Sequence, residues 1–565
     1  MQMRDRVKSP RHTDLLIIGG GGAAAMAALE AGRHGVRPLI VCKDTFIGGA
    51  TVQASGGTAI PFLPEDTPET FVADTMECGG FLNNRDLVEV LSKEAKKVFC
   101  GLEREGCLLD RSSPSRIRMV KRSEGHSVLR SYSDRRQTHG ILNFLKRRVL
   151  EKGIPLLEER MLVKLFVEEG RVQGGLFFSL EDGNFELISA QVVILATGGC
   201  GQLYSVTTNS NCLTGDGYGL AFRAGAELVD MEMVQFLPLA FPYPATVRGA
   251  IIGMCSLFGP NVKLYNGLGE RYMERYAPKA LEYATRDVVA RANYVEIQEG
   301  RGTPKGTIIV DPTENDRSRL KDYREISAVI YEMVAEAFGE KAAAWEAPFE
   351  AVPSQHFMMG GVKMDRDCRT SVRGLLCCGE VSGGVHGANR LSGNALTEIY
   401  VFGKRAGRTA VRLVSASPPK PPHPERVNDE MGRIGAFLDK SEGVSPLRLR
   451  SRIQKVMWDH IGIVRDGEGL RKALERFGEV RRDLSRIHIR CKERRWNREL
   501  LEALELPLMI QTCELIATSA LSREESRGAH YREDFPESDP RWVKNVVLSK
   551  GENSGIKVDI EPVLH

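Results

Sequence analysis

The apolar positions of this chain collect into short unbroken runs. Residues 14–18 read DLLII, without the polar alternation of a strand that has one wet face, and predict a parallel strand covered on both sides. Gly19, Gly20, Gly21 and Gly22 follow at once and lead into AAAMAALEAGRHG, a strong helix former, so the predicted order is strand, tight turn, helix. Further apolar strands are predicted at residues 38–42 (PLIVC), 192–196 (VVILA) and 375–379 (LLCCG). Residues 415–425, SASPPKPPHPE, are proline-rich and read as a stiff linker into a C-terminal helical domain. No internal repeat is apparent.

The glycine turn gives this pattern its chemistry. Residues without side chains let the backbone approach a pyrophosphate, whose charge then meets the positive end of the helix dipole. Gly19 and Gly21 take the first two positions of the dinucleotide fingerprint, and Ala24 takes the third, where a methyl group still permits close packing of helix on strand. The acid expected at the end of the second strand, to hold a ribose, is missing: Cys42 stands there, with Asp44 two residues on.

Bulk properties narrow the class. A length of 565 residues exceeds one hydrophobic core and predicts two to four domains. The 78 basic and 74 acidic side chains nearly cancel, to +4, which leaves no field for a nucleic-acid partner. Basic clusters at 146–148 and 492–495 read as solvated helix faces. The opening MQMRDRVKSPRHTD lacks the apolar core of a secretory signal, and no run reaches the ~20 apolar residues of a membrane-crossing helix. The expectation is therefore a cytoplasmic chain that inserts into no membrane itself and reaches one only through partner subunits. The 12 cysteines contain no CxxC, which argues against a zinc site or an iron–sulfur cluster; no metal site is expected.

Four further segments resemble the succinate dehydrogenase, fumarate reductase and L-aspartate oxidase flavoprotein family. The first is GGATVQASGGTAI at residues 48–60, similar to the loop that lies along the flavin ring. The resemblance makes Gly49, Ala50, Thr51, Ser55, Gly56 and Gly57 FAD-binding, beside Gly19, Gly21, Gly22, Ala24 and Lys43. A histidine in this loop bonds covalently to FAD in membrane-linked relatives; Ala50 takes its place here, so the resemblance implies FAD held without a covalent bond. The second segment is VVILATGGCGQLY followed by TGDGYGLAFRAGAELVDMEMVQFLP, which implies FAD contacts from Ala196, Thr197, Gly198 and Asp216. Asp216 reads equally as a cap for the helix expected to begin near Tyr218. The third, residues 354–396, ends in CGEVSGGVHGANRLSGNAL. Here Glu380 resembles the carboxylate that holds the FAD ribose, and Ser392, Asn394 and Leu396 match the start of a helix against the flavin's pyrimidine edge. The fourth, REESRGAHYREDFPESDPRW at residues 523–542, marks kinship, and most of its charges read as a surface salt-bridge network.

Chemistry on a carboxylate substrate needs cations to grip it, a flavin to exchange hydride and a group on the opposite face to move a proton. By resemblance His356 and Arg390 are the carboxylate ligands and Arg286, in EYATRDVVARA, is the proton donor. An arginine acid departs from the rule that guanidinium keeps its proton; a closed, dry site with neighbouring cations weakens that hold. A further carboxylate clamp is the plainer role for Arg286. Leu237 stands where the family has a substrate-binding histidine, and Cys255 and Phe258 fall near its glutamate–arginine proton relay. A leucine and a phenylalanine there suit a substrate with a carboxylate at one end and a less polar body.

The expected architecture is α/β: a Rossmann-like FAD-binding domain in two sequence pieces (1–241 and 353–414), an α+β capping domain inserted at 242–352, and a C-terminal helical domain at 426–565. The resemblance implies a small carboxylate substrate and a partner iron–sulfur subunit. Two alternatives stay open: an L-aspartate-oxidase-like enzyme with a diffusible acceptor, and a flavin electron carrier whose substrate pocket has decayed.

Overall fold

A computed structural model of the chain describes residues 7–54, 57–113, 116–117, 119–120, 125–132, 139–415, 419–438, 440–552 and 555–564. The expected FAD contacts Ser55 and Gly56, and residues 416–418 of the expected linker, lie outside them. The chain opens with β1 (Val7–Ile18), α1 (Gly22–Arg33) and β2 (Pro38–Val41). β1 pairs in parallel with β2 on one side and β3 (Phe185–Leu195) on the other. Leu15, Leu16 and Ile17 are wholly buried, which is why no polar residue interrupts the run.

After α2 (Asp216–Arg223), strand β4 (Val234–Ala240), helix α3 (Arg286–Gln298) and strand β5 (Phe349–Met358) build the next layer. β4 and β5 pair antiparallel at the centre of a five-stranded sheet, with the short strands Ile251–Gly253, Ile308–Asp311 and Lys263–Tyr265 outside them. This sheet has its own core around Leu239, Phe241, Phe258, Tyr331, Trp345 and Phe349. Of its two central strands, β5 spans the junction expected at 352/353, whereas β4 ends at Ala240, just before the one expected at 241/242.

The chain then returns to the first sheet. β6 (Leu375–Cys377) pairs with β3, and α4 (Asn394–Leu413) lies on α1. The two helices approach closely because a Cβ at Gly403 would sit 2.6 Å from Ala23 O and one at Gly407 2.5 Å from Ala27 O. Small residues on both helices, one turn apart, make that contact possible. Helices α5 (Pro446–His460), α6 (Gly467–Asp483) and α7 (Arg498–Ser522) form the C-terminal bundle, and the hairpin β7 (Lys544–Lys550) with β8 (Ile556–Pro562) pairs onto strand Leu228–Val229. Among the described residues no helix is long and apolar enough to cross a membrane.

The charges at 523–542 divide: Glu524, Glu533, Asp534, Glu537 and Arg541 are exposed as expected, and a smaller set is interior. Arg523, Glu525 and His530 are fully buried and Arg532 is 2 % exposed. Arg523 reaches Glu232 at 2.5 Å, Glu525 at 3.1 Å and Asp230 at 3.4 Å, so acids far back in the chain supply the counter-charge that a buried guanidinium requires.

Candidate functional site

One cavity, with an empty volume of about 2020 Å³ counted to its open mouth, runs from the glycine turn to the junction of the two sheets. Its lining runs without a break from the glycine turn to Arg286, His356 and Arg390, so the two ends share one space. At one end β1 delivers Gly19, Gly20 and Gly21 to the wall, with the N-terminus of α1 behind them. Gly19 has φ +132, and a Cβ there would lie 2.0 Å from Ala196 O. Ala24, fully buried, packs helix on strand away from the wall, and a Cβ at Gly22 would strike Ile399 of α4 at 2.7 Å. Neither Gly22 nor Ala24 lines the cavity; their contribution is the close packing that holds the turn.

Gly49, Ala50 and Thr51 reach the wall from the short helix Gly49–Gln53, and Gly57 lines it just beyond. Ala196, Thr197 and Gly198, just past the end of β3, line it beside the glycine turn. Asp216 is the first residue of α2, not a cap ahead of it; its carboxylate meets Lys43 Nζ at 3.3 Å, and the same ammonium bonds Thr214 Oγ1 at 2.7 Å and Glu505 Oε1 of α7 at 2.8 Å. Burial alone would lower Lys43, but Asp216 and Glu505 outweigh it and hold the group charged. Glu380, just past β6, accepts Met358 N–H at 3.0 Å, and burial pushes its carboxyl up to about 7. β2, β1, β3 and β6 are successive neighbours, so Glu380 stands three strand spacings, roughly 14 Å, from Cys42 and faces a different part of the cavity.

At the other end three cations or donors converge. His356 is the residue skipped where the pairing register of β4 and β5 shifts: Gln235 opposes Phe357 and Phe236 opposes Gln355. This bulge turns the imidazole into the cavity, with Thr208 Oγ1 2.9 Å from Nδ1 and Asn209 Nδ2 donating to the His356 carbonyl at 3.0 Å. Burial, then Arg390 and Arg286, hold the ring well below its ordinary value, so it stands neutral. Arg286 opens α3 and donates to Ser392 Oγ at 2.9 Å. Arg390 stacks on the Phe357 ring at 4.5 Å and donates Nε–H to Gln235 Oε1 at 3.2 Å. Burial, then the neighbouring Arg286, push its guanidinium down from the usual range. Two crowded cations in a dry wall gain from any incoming anion that relieves their repulsion.

Leu237 lines this end with Ile251, Met254 and Leu257. The expectation for Phe258 is corrected: Cys255–Phe258 forms a 3-10 turn in which Phe258 packs on Phe349 at 4.9 Å and Tyr331 at 5.4 Å, in the core of the inserted layer. Cys255 is likewise buried there, and the apolar wall comes from Leu257 and Met254 instead. Ser392 and Leu396 line the cavity, whereas Asn394, at the start of α4, is fully buried and donates to Thr75 Oγ1 at 3.0 Å. Thr208, Asn209 and Gln235 belong to the site and were not singled out from the sequence; an amide or hydroxyl in a strand or loop carries no pattern of its own.

The residues present fit FAD. Thr197 Oγ1 is buried on the wall without a hydrogen-bond partner among the described residues, Glu380 offers a carboxylate, and the glycine turn leaves backbone where a side chain would block approach. The chain matches the model of the FAD binding domain over residues 14–396 and that of the fumarate reductase flavoprotein C-terminus over 450–565. It is 39% identical to a subunit of the CoM/CoB fumarate reductase of Methanothermobacter marburgensis, over 95% of this chain and 97% of that one. Against the succinate dehydrogenase flavoprotein subunit of Rickettsia bellii the identity is 32%, over 97% and 95%. FrdA of E. coli quinol fumarate reductase superposes with a TM-score of 0.90 at 27% identity, over 99% of this chain and 98% of that one. With the cavity built as described and both parts of the chain matched, the protein belongs to the fumarate reductase and succinate dehydrogenase flavoprotein family and is an FAD-dependent oxidoreductase.

Proposed function

We propose that this protein interconverts a carbon–carbon single and double bond next to a carboxylate, as the flavin-bearing subunit of an electron-transfer complex. The observation that carries this is the convergence of Arg286, His356 and Arg390 on one cavity with the dinucleotide turn. FAD, when bound, supplies a two-electron carrier that exchanges hydride. Arg390 and neutral His356 hold the carboxylate, the guanidinium by a bidentate grip and the imidazole by a single hydrogen bond. Arg286 moves the proton at the substrate's other face, on a helix end that Ser392 ties to the opposite wall. The walls of Leu237, Ile251, Met254 and Leu257 accept an apolar body at the end away from the carboxylate.

A relative named as one subunit of an enzyme supports a partner chain, and we assign an iron–sulfur protein to that role. With Ala50 in the flavin loop and no nucleophile at that place, FAD is held without a covalent bond, so acid precipitation releases it into the supernatant. The test of the reaction is anaerobic: dithionite-reduced holoprotein is mixed with fumarate and with a panel of 2-enoic acids, and flavin reoxidation is followed. Enoic acids with an apolar tail reoxidise it with kcat/KM at least about tenfold above fumarate, the order of discrimination one or two methylenes provide. Fumarate turning over faster than every tailed acid would refute the apolar-body assignment, and no reoxidation by any of them would refute the reaction class.

Glu380 adds a pH dependence. Burial pushes its carboxyl up to about 7, and the ionised form, charged and accepting at both oxygens, is the stronger acceptor for cofactor hydroxyls beside the Met358 N–H. Protonation therefore weakens FAD binding below that value: the affinity of reconstituted apoprotein rises as pH goes from 6 to 8, by up to about tenfold per unit on the acid side. Glu380→Gln flattens this profile, measured by flavin fluorescence quenching.

A further inference from the structure

Arg390 has no carboxylate against it among the described residues within 4.0 Å, and its orientation comes from a chain of amides. Its Nε–H donates to Gln235 Oε1 at 3.2 Å, and Gln235 Nε2 donates in turn to the Arg390 carbonyl at 3.0 Å and to Asn389 Oδ1 at 2.8 Å. Asn389 Nδ2 donates to Asp287 Oδ1 at 2.9 Å. Every link from Arg390 to Asp287 runs donor to acceptor in the same sense, and the last member is a carboxylate that only accepts, which sets the direction of the whole chain. Gln235 is fully buried and Asn389 5 % exposed, and flipping either amide would set donor against donor or acceptor against acceptor with no water to repair it. Asp287 itself is fixed in the first turn of α3, where a negative charge suits the helix dipole, and it borders a second cavity shared with Arg291, Arg527, His530 and Tyr531.

The backbone supports the same arrangement. Gln235 on β4 lies directly opposite Phe357 on β5, so the side chain that orients Arg390 and the ring on which it stacks project to the same face of the sheet. Guanidinium plane and Nε direction are thus both determined before a substrate arrives. Amides transmit orientation and not protons, so the chain is no route for a proton from the second cavity.

We propose that Asp287, through Asn389 and Gln235, is a positioning residue for Arg390, so that one turn of α3 sets both cations of the site: Arg286 directly and Arg390 by relay. The inference rests on Arg390 being the carboxylate ligand, and the experiment separates the two claims. FAD-loaded oxidised protein is titrated with succinate and the flavin absorbance followed, for the wild type, R390Q, N389D and the double variant D287N/N389D. N389D opposes two carboxylates and weakens succinate binding by roughly 10- to 100-fold, with KM for the substrate raised more than kcat is lowered. D287N/N389D reverses the polarity of that one link, amide donating to carboxylate, and restores affinity to within about threefold of wild type. A merely structural loss at Asn389 is not repaired by a second substitution. FAD content and unfolding midpoint are read on the same samples. Should N389D fail to retain FAD, Gln235→Met keeps the volume and removes the Arg390 acceptor, and weakens succinate by about tenfold. R390Q binding succinate like the wild type overturns the carboxylate reading and the relay with it. R390Q weakened while N389D, or Gln235→Met in its place, stays within about twofold of wild type overturns the relay alone, as does a double variant that recovers nothing.

Discussion

Arg286→Gln lowers turnover by roughly 10²- to 10⁴-fold, the usual contribution of a positioned acid, while FAD content is unchanged. The affinity for succinate, a saturated dicarboxylate that needs no proton, falls by less than about fivefold, since glutamine still donates one hydrogen bond and Arg390 and His356 still grip the carboxylate. The structure motivates this separation of rate from binding. Arg390 is positioned by Gln235 and Phe357, and His356 by Thr208, none of which depends on the Arg286 side chain. Stopped-flow reoxidation of the reduced protein gives the rate, and flavin absorbance gives the affinity. If Arg286 were only a clamp, affinity and turnover would fall together, and that result would sink its assignment as proton donor.

Gly19→Ala yields protein with no bound FAD, with affinity at reconstitution reduced by at least about 100-fold. At φ +132 an alanine is strained, and its methyl carbon would lie 2.0 Å from Ala196 O, so the end of β1 and the end of β3 must part. Both ends line the cavity, and their separation withdraws the turn's amides from the pyrophosphate. Gly35→Ala is the matched control: φ is +81 and nothing lies within 4 Å of the added methyl, so only backbone strain is felt and the protein stays yellow. The absorbance ratio at 450 and 280 nm of each purified variant decides the matter; a fully flavinylated Gly19→Ala would remove the turn from the cofactor site.

Much of this was legible in the sequence because it depends on neighbours along the chain. Residues 15–17 form an unbroken apolar run because both faces of β1 are covered, and the glycines after them announce the turn. What was not legible depends on pairing across distance. Nothing around His356 says that the register skips it; that follows from β4, more than a hundred residues earlier. The same holds for Gln235, whose role appears only when the two strands meet. Phe258 was misplaced by a single position, since adjacent residues of a 3-10 turn point about 120° apart and Leu257 took the cavity. Arg523 looked solvated because its partners, Asp230 and Glu232, lie in another part of the chain.

Lys43 is made among the first fifty residues and its counter-charge Glu505 among the last hundred, yet they meet at 2.8 Å in the wall of the cavity. With Asp216 of α2 on the same ammonium, the charge is shared between two helices far apart in the chain. The nucleotide end of the cavity therefore has its full set of charges only when the C-terminal bundle is packed against the first sheet.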